Sequence, residues 1–144
     1  MATRMKCDAI PGMKVLYNLS DMVGPGKPNK PDDVMLVQVL LADMAAAKKI
    51  GHLSAVMGPP AITGTFDFAT AYWILLMQHE NRAGVKVDGF VSPCKSSSGT
   101  YSGDTKAWLI AAMNAWYYKH LAQKFSALPT DSRLSPALRK AIAP

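Results

Sequence analysis

At 144 residues, with 49 % hydrophobic and 18 % charged residues, the chain has the content of one globular core rather than of a disordered segment. No apolar run approaches the roughly 20 residues of a membrane-spanning helix, and the densest, residues 68–77, is about half that length. Sixteen basic against ten acidic residues give +6, which favours anionic partners such as acidic wall polymers, nucleic acid or acidic lipid without choosing among them.

The amino terminus begins Met-Ala-Thr-Arg-Met-Lys-Cys-Asp, and Asp8, Pro11, Gly12 and Lys14 interrupt any apolar segment of a secretory signal. The expectation is synthesis in the cytoplasm without a signal peptide. A role at a cell wall would then need a non-Sec route. Residues 1–30 look irregular, with one short extended candidate over 14–20, and Gly24-Pro25-Gly26-Lys27-Pro28 breaks whatever precedes it.

Helix one is predicted to start at Pro31, with Asp32 and Asp33 at the positive end of its dipole. Val34, Val37, Leu40, Leu41 and Met44 form its buried face, and it fades near residues 48–51. Residues 51–66 form a glycine- and proline-rich loop. Asp67 caps helix two, which runs to about Asn81 and is apolar nearly all round, as expected of the most buried element. A second loop, 83–102, carries a Ser-Ser-Ser run. Helix three is predicted from about Asp104 to about Ala127, on a stripe from Trp108 to Phe125. Its second half should pack on the amino-terminal arm. Ser135-Pro136 heads a short last helix through Ala141.

The loops repeat a pattern. Ile62-Thr63-Gly64-Thr65-Phe66 follows helix one and Val87-Asp88-Gly89-Phe90 follows helix two, and each preceding helix carries an apolar-Gln pair, Val37-Gln38 and Met77-Gln78. Each glycine permits a tight turn, Thr70 and Thr105 open the next helix, and a buried Gln can satisfy loop amides. In this order of elements, residues 30–114 resemble the peptidoglycan-binding domain family, a three-helix module. Thr63 stands where that family usually has Asp, Asp67 replaces a Gly, Met77 replaces a Phe, and a Ser-rich insertion separates Val91 from Thr105.

The resemblance implies an all-α fold: an irregular arm (1–30), a three-helix domain of the peptidoglycan-binding type (31–127) and a carboxy-terminal tail with a short helix (128–144). It also implies a non-catalytic cell-wall module of a phage or secretion-system component, recognising peptidoglycan or another anionic wall polymer. The alternative is a protein–protein adaptor of such an assembly on the same fold. Nucleic acid is the less favoured partner, and no cofactor is expected.

Glu80 is the only glutamate, so a two-carboxylate hydrolase would have to pair it with an aspartate, and most aspartates fall at caps and turns. Glu80 lies beside His79 and Arg82 at a helix end, yet the expectation is no enzyme. His52, His79 and His120 lack metal-ligand spacing. Trp73, Trp108 and Trp116 lie among apolar neighbours and are expected in the core. Tyr101, in a polar loop, is expected to be the exposed aromatic. The candidate ligand groove gathers Arg82, Asp88, Lys95 and Tyr101 around the second turn, with Asp67 at the first; Gln38, Gly64, Thr70, Gln78, Gly89 and Thr105 are assigned structural roles. Cys7 and Cys94 are too far apart for a disulfide scaffold or zinc knuckle by themselves, and a bridge between them does not follow from sequence.

Overall fold

The computed structural model describes residues 1–8, 10–51, 55–101 and 106–144. Thr105, His52 and the predicted start of helix three at Asp104 lie outside the described residues. In chain order the elements are β1 (Thr3–Lys6), β2 (Val15–Asn18), α1 (Pro31–Ala46), α2 (Phe68–Glu80), α3 (Leu109–His120), α4 (Ala122–Ala127), a 3-10 turn (Leu128–Thr130) and α5 (Pro136–Ile142). No helix among the described residues is long and apolar enough to cross a membrane.

The fold is mostly helical but not all-α. β1 and β2 form a two-stranded antiparallel sheet, with register from Thr3 opposite Asn18 to Lys6 opposite Val15. β2 falls inside the extended candidate. β1 (Thr-Arg-Met-Lys) was not anticipated: it is an edge strand with exposed Thr3, Arg4 and Lys6, so it shows no apolar alternation. Its partner makes it a strand.

The sheet belongs to the core rather than trailing from it. Leu16, Tyr17 and Leu19 are buried, and Asn114 of α3 treats β2 as a neighbouring strand would: its Oδ1 accepts from Tyr17 N–H (2.8 Å) and its Nδ2 donates to Tyr17 O (2.9 Å). Asp33, fully buried near the start of α1, accepts from Ser20 N–H (2.9 Å), Ser20 Oγ (2.8 Å) and Asp21 N–H (3.1 Å). Asp32 accepts from Ser135 Oγ at 3.0 Å. These two acids tie the arm and the tail to α1.

α1, not α2, is the central element. Ten of its residues are buried, on more than one face, including Leu36 and Val39. α2 turns Trp73, Ile74 and Met77 inward, but Phe68 is 76 % and Leu75 44 % exposed. The expectation that α2 is the most buried element therefore fails, because apolar composition does not specify which face meets the core.

Helix three is two helices. Leu121, at φ −136° and ψ 49°, breaks the run between α3 and α4 with neither Gly nor Pro to announce it. The break lets Phe125 reach Tyr17 (ring centroids 4.8 Å) and Tyr118 (5.3 Å, edge-on), and Tyr17 Oη donates to Phe125 O at 2.9 Å.

An ionic cluster closes the tail. The Asp43 carboxylate, nearly inaccessible on α1, accepts from Arg133 Nη1 (2.7 Å), Arg133 Nη2 (2.8 Å) and Tyr117 Oη (2.7 Å), with Lys124 Nζ at 3.5 Å. Asp131 completes the pairing of Arg133. Burial alone would raise the Asp43 carboxyl, but hydrogen bonds from Arg133 and Tyr117 and the charges of Arg133 and Lys124 hold it below the usual range. Burial, and then Asp43, push the Tyr117 phenol up.

Candidate binding face between two glutamine-locked corners

Each loop that flanks α2 turns at a glycine and is held by a glutamine from the helix before it. At the first corner, Gln38 Oε1 accepts from the backbone N–H of Thr63 (2.8 Å) and Gly64 (2.9 Å). Its Nε2 donates to Thr65 O (2.9 Å) and Thr70 Oγ1 (3.0 Å). Gly64 adopts φ +77°, and a Cβ there would lie 3.1 Å from Pro31 O, so both backbone shape and space call for glycine. Asp67 caps α2, accepting from Thr70 N–H (2.8 Å) and Thr70 Oγ1 (2.6 Å).

At the second corner, Gln78 Oε1 accepts from Gly89 N–H (2.9 Å), and its Nε2 donates to Phe90 O (3.0 Å) and Asp88 Oδ1 (3.1 Å). Asp88 Oδ1 also accepts from Phe90 N–H at 3.0 Å. Val91 then pairs with Val23 through two backbone bonds, 2.9 and 2.8 Å. Phe90 fills the space above Gly24 and carries Lys27 Nζ 4.5 Å from its ring centroid. Gln38 and Gln78 are almost wholly buried, so each supplies the amide partners that irregular backbone would otherwise take from water.

The five predicted ligand residues are not gathered into one groove. Asp67 and Gln78 are 11 residues apart on the same helix, about 16 Å along its axis, so Asp67 and Asp88 mark opposite ends of α2. Both carboxylates are engaged by the turns they belong to. Arg82 lies just beyond α2, its Nη1 donating to His79 O at 3.1 Å. Lys95 is exposed, directly after Cys94, and no bond among the described residues ties it to Asp88 or Tyr101.

Tyr101 is half-buried rather than the open platform expected from its polar loop. Its ring stacks on Trp108 (centroids 3.8 Å, 31°), and Lys86 Nζ sits 3.8 Å from its centroid. A ring and an ammonium group cannot share one face at those distances, so both faces are covered.

Glu80, the one glutamate, accepts from Gly51 N–H at 2.8 Å, which accounts for it as a loop anchor. Trp73 is buried, with Nε1 donating to Gly58 O at 2.7 Å, while Trp108 and Trp116 are only half-buried. No group of three or more His, Cys, Asp or Glu side chains placed to hold a metal occurs among the described residues.

What the spacing missed is the outer face of α2. Phe68 and Leu75, seven residues apart and hence on one side of the helix, are exposed, and so is Val87 at the second corner, 42 %. Leu75 Cδ2 lies 3.7 Å from where a Cβ on Gly89 would sit, so leucine and corner form one surface. Lys86 adjoins Val87 in sequence, and Arg82 follows the helix end. No simple sequence signal marks this face, because α2 is apolar on every side. Comparison with protein-family models, with curated proteins and with solved structures finds no match.

Proposed function

We propose that this chain is a non-catalytic binding module that holds peptidoglycan, or another anionic wall polymer, on the outer face of α2 between its two corners. One observation carries this reading: Phe68, Leu75 and Val87 are exposed on a backbone that Gln38 and Gln78 hold rigid, with Arg82 and Lys86 at the second corner. Such a face offers apolar contact to sugar rings and stem-peptide methyl groups, and cations to stem-peptide carboxylates. The repeated corners are also the feature that resembles peptidoglycan-binding domains. The charge of +6 favours the same partner. Delivery to the wall by a phage or secretion apparatus completes the proposal.

The test is co-sedimentation of the folded chain with insoluble peptidoglycan at moderate salt. Retention in the pellet is expected; a folded protein that stays in the supernatant rejects the reading. A second reading, a protein–protein adaptor of the same kind of assembly, is favoured by the 76 % exposure of Phe68, since so open an aromatic ring suits a protein partner. Light scattering after size exclusion, with co-purification from the native host, separates the two. A stoichiometric protein partner without wall retention selects the adaptor.

A further inference from the structure

Cys7 and Cys94, the only cysteines, are 87 positions apart and both fall in the buried cluster, at 2 % and 4 % exposure. Cys7 follows directly on β1, and its N–H donates to Lys14 O at 2.9 Å. The next N–H, that of Asp8, donates to Ser97 O at 2.9 Å, so the arm lies along the segment that follows Cys94. Cys94 is gripped from the other side by Asn18 at the end of β2: its N–H donates to Asn18 Oδ1 (2.8 Å), and Asn18 Nδ2 donates to its carbonyl (2.9 Å). The same Asn18 Nδ2 contacts Met5 Sδ of β1 at 3.4 Å. The arm and the segment from Cys94 to Ser97 thus lie side by side, with both cysteines in one buried cluster.

Their sulfurs are within electrostatic reach. Burial raises the Cys94 thiol, and proximity to Cys7 raises it further, while Cys94 Sγ donates to Ser96 O at 3.1 Å. Burial of a single thiol is ordinary packing, because cysteine behaves as a small hydrophobe. Here the chain's whole complement of thiols is brought together beside β1, a strand on which Thr3, Arg4 and Lys6 are exposed. Fraying of that strand gives an oxidant access without unfolding the core.

We propose that Cys7 and Cys94 are a disulfide pair, closed by a small-molecule disulfide such as oxidised glutathione, which locks the amino-terminal arm onto the loop after Val91. One cysteine thiolate attacks a glutathione sulfur and releases one glutathione thiolate. The other cysteine thiolate then attacks the mixed disulfide at the protein sulfur and displaces the second. The protein loses two protons and two electrons, and the oxidant takes them up to become two thiols. The inference stands independently of wall binding.

The test incubates the full chain with oxidised glutathione near pH 8, where part of an ordinary thiol is ionised. It is then unfolded in the presence of an alkylating reagent and weighed. Expected is a monomer lighter by two hydrogens, with no alkyl group added and a Cys7–Cys94 cross-linked peptide after digestion. Reduction should restore two alkylatable thiols and lower the urea midpoint. Two alkylated thiols, a stable mixed glutathione disulfide or a disulfide-linked dimer from the folded protein would overturn the pairing. This measurement uses the unmodified chain, so it decides the matter even where Cys7→Ser or Cys94→Ser fails to fold.

Discussion

The corners around α2 and the tail behind α1 both fasten irregular backbone to buried helix, but with different chemistry. The corners use neutral carboxamides, Gln38 and Gln78, and the arm uses Asn18 and Asn114 in the same way. The tail uses a buried carboxylate with two cations and a phenol. A carboxamide carries donor and acceptor side by side, as a strand edge does, and has no charge to desolvate. An ion pair holds harder but only while both partners are charged, and losing one leaves the other uncompensated. The two glutamine locks beside the candidate binding face are therefore indifferent to pH and salt, whereas Asp67 and Asp88 in the same corners and the clasp at Asp43 carry charge.

Among the polar fastenings the largest expected effect is at the clasp. Asp43→Ala leaves Arg133 and Tyr117 without their acceptor and is expected to cost about 3 kcal/mol, the low end for a broken buried pair because Arg133 is 40 % exposed. The sign of the pH dependence follows from the held-down carboxyls. Asp43 and Asp131 are lowered in the fold, so the unfolded chain takes up their protons first as pH falls. Their contribution is complete above about pH 4, the ordinary carboxylate range, and is lost as the pH drops through their lowered folded values. Urea midpoints measured at neutral and acid pH should show the gap between wild type and Asp43→Ala narrowing in acid. A gap that stays constant would mean the cluster acts by packing and not by charge.

The corners come next. Gln38→Leu strands the N–H groups of Thr63 and Gly64, and Gln78→Leu strands that of Gly89 alone. At roughly 1–3 kcal/mol for each orphaned buried group, with the loops partly wet, the expected costs are about 2–3 and 1–2 kcal/mol. Neither loss should change with pH or salt. A pH- or salt-dependent cost at either site would break the contrast between neutral and ionic fastening.

How much of this was legible depended on whether a signal was local. The starts of α1, α2 and α5 were, since Pro31, Asp67 and the Ser135-Pro136 pair act within one turn. The corners were as well, through Gly beside an aromatic or aliphatic residue and the glutamine one helix earlier. The sheet was only half visible, because β1 takes its conformation from a partner 9 to 15 residues on. The break at Leu121 had no residue to mark it. Tyr101 misled for a related reason: its neighbours in sequence are polar, while those in space are Trp108 and Lys86. Leu75 misled in the opposite direction, since apolar residues on every side of α2 hide which side faces water.

The smallest change in stability should produce the largest change in binding, and here the core and the outer face of α2 can be set against each other. Phe68→Ser and Leu75→Ser remove side chains that are already 76 % and 44 % exposed, so each should shift the unfolding free energy by no more than about 0.5–1 kcal/mol. Trp73→Ala, two to five residues away on the same helix but 3 % exposed, should cost about 3–5 kcal/mol through the cavity it leaves and the hydrogen bond to Gly58 it gives up. If the outer face holds the wall polymer, the two serine variants leave the pellet while remaining folded by circular dichroism, and Trp73→Ala loses retention only in proportion to its unfolded fraction. Wall retention by Phe68→Ser, Leu75→Ser and their double variant equal to that of the wild type would move the binding site off α2 altogether.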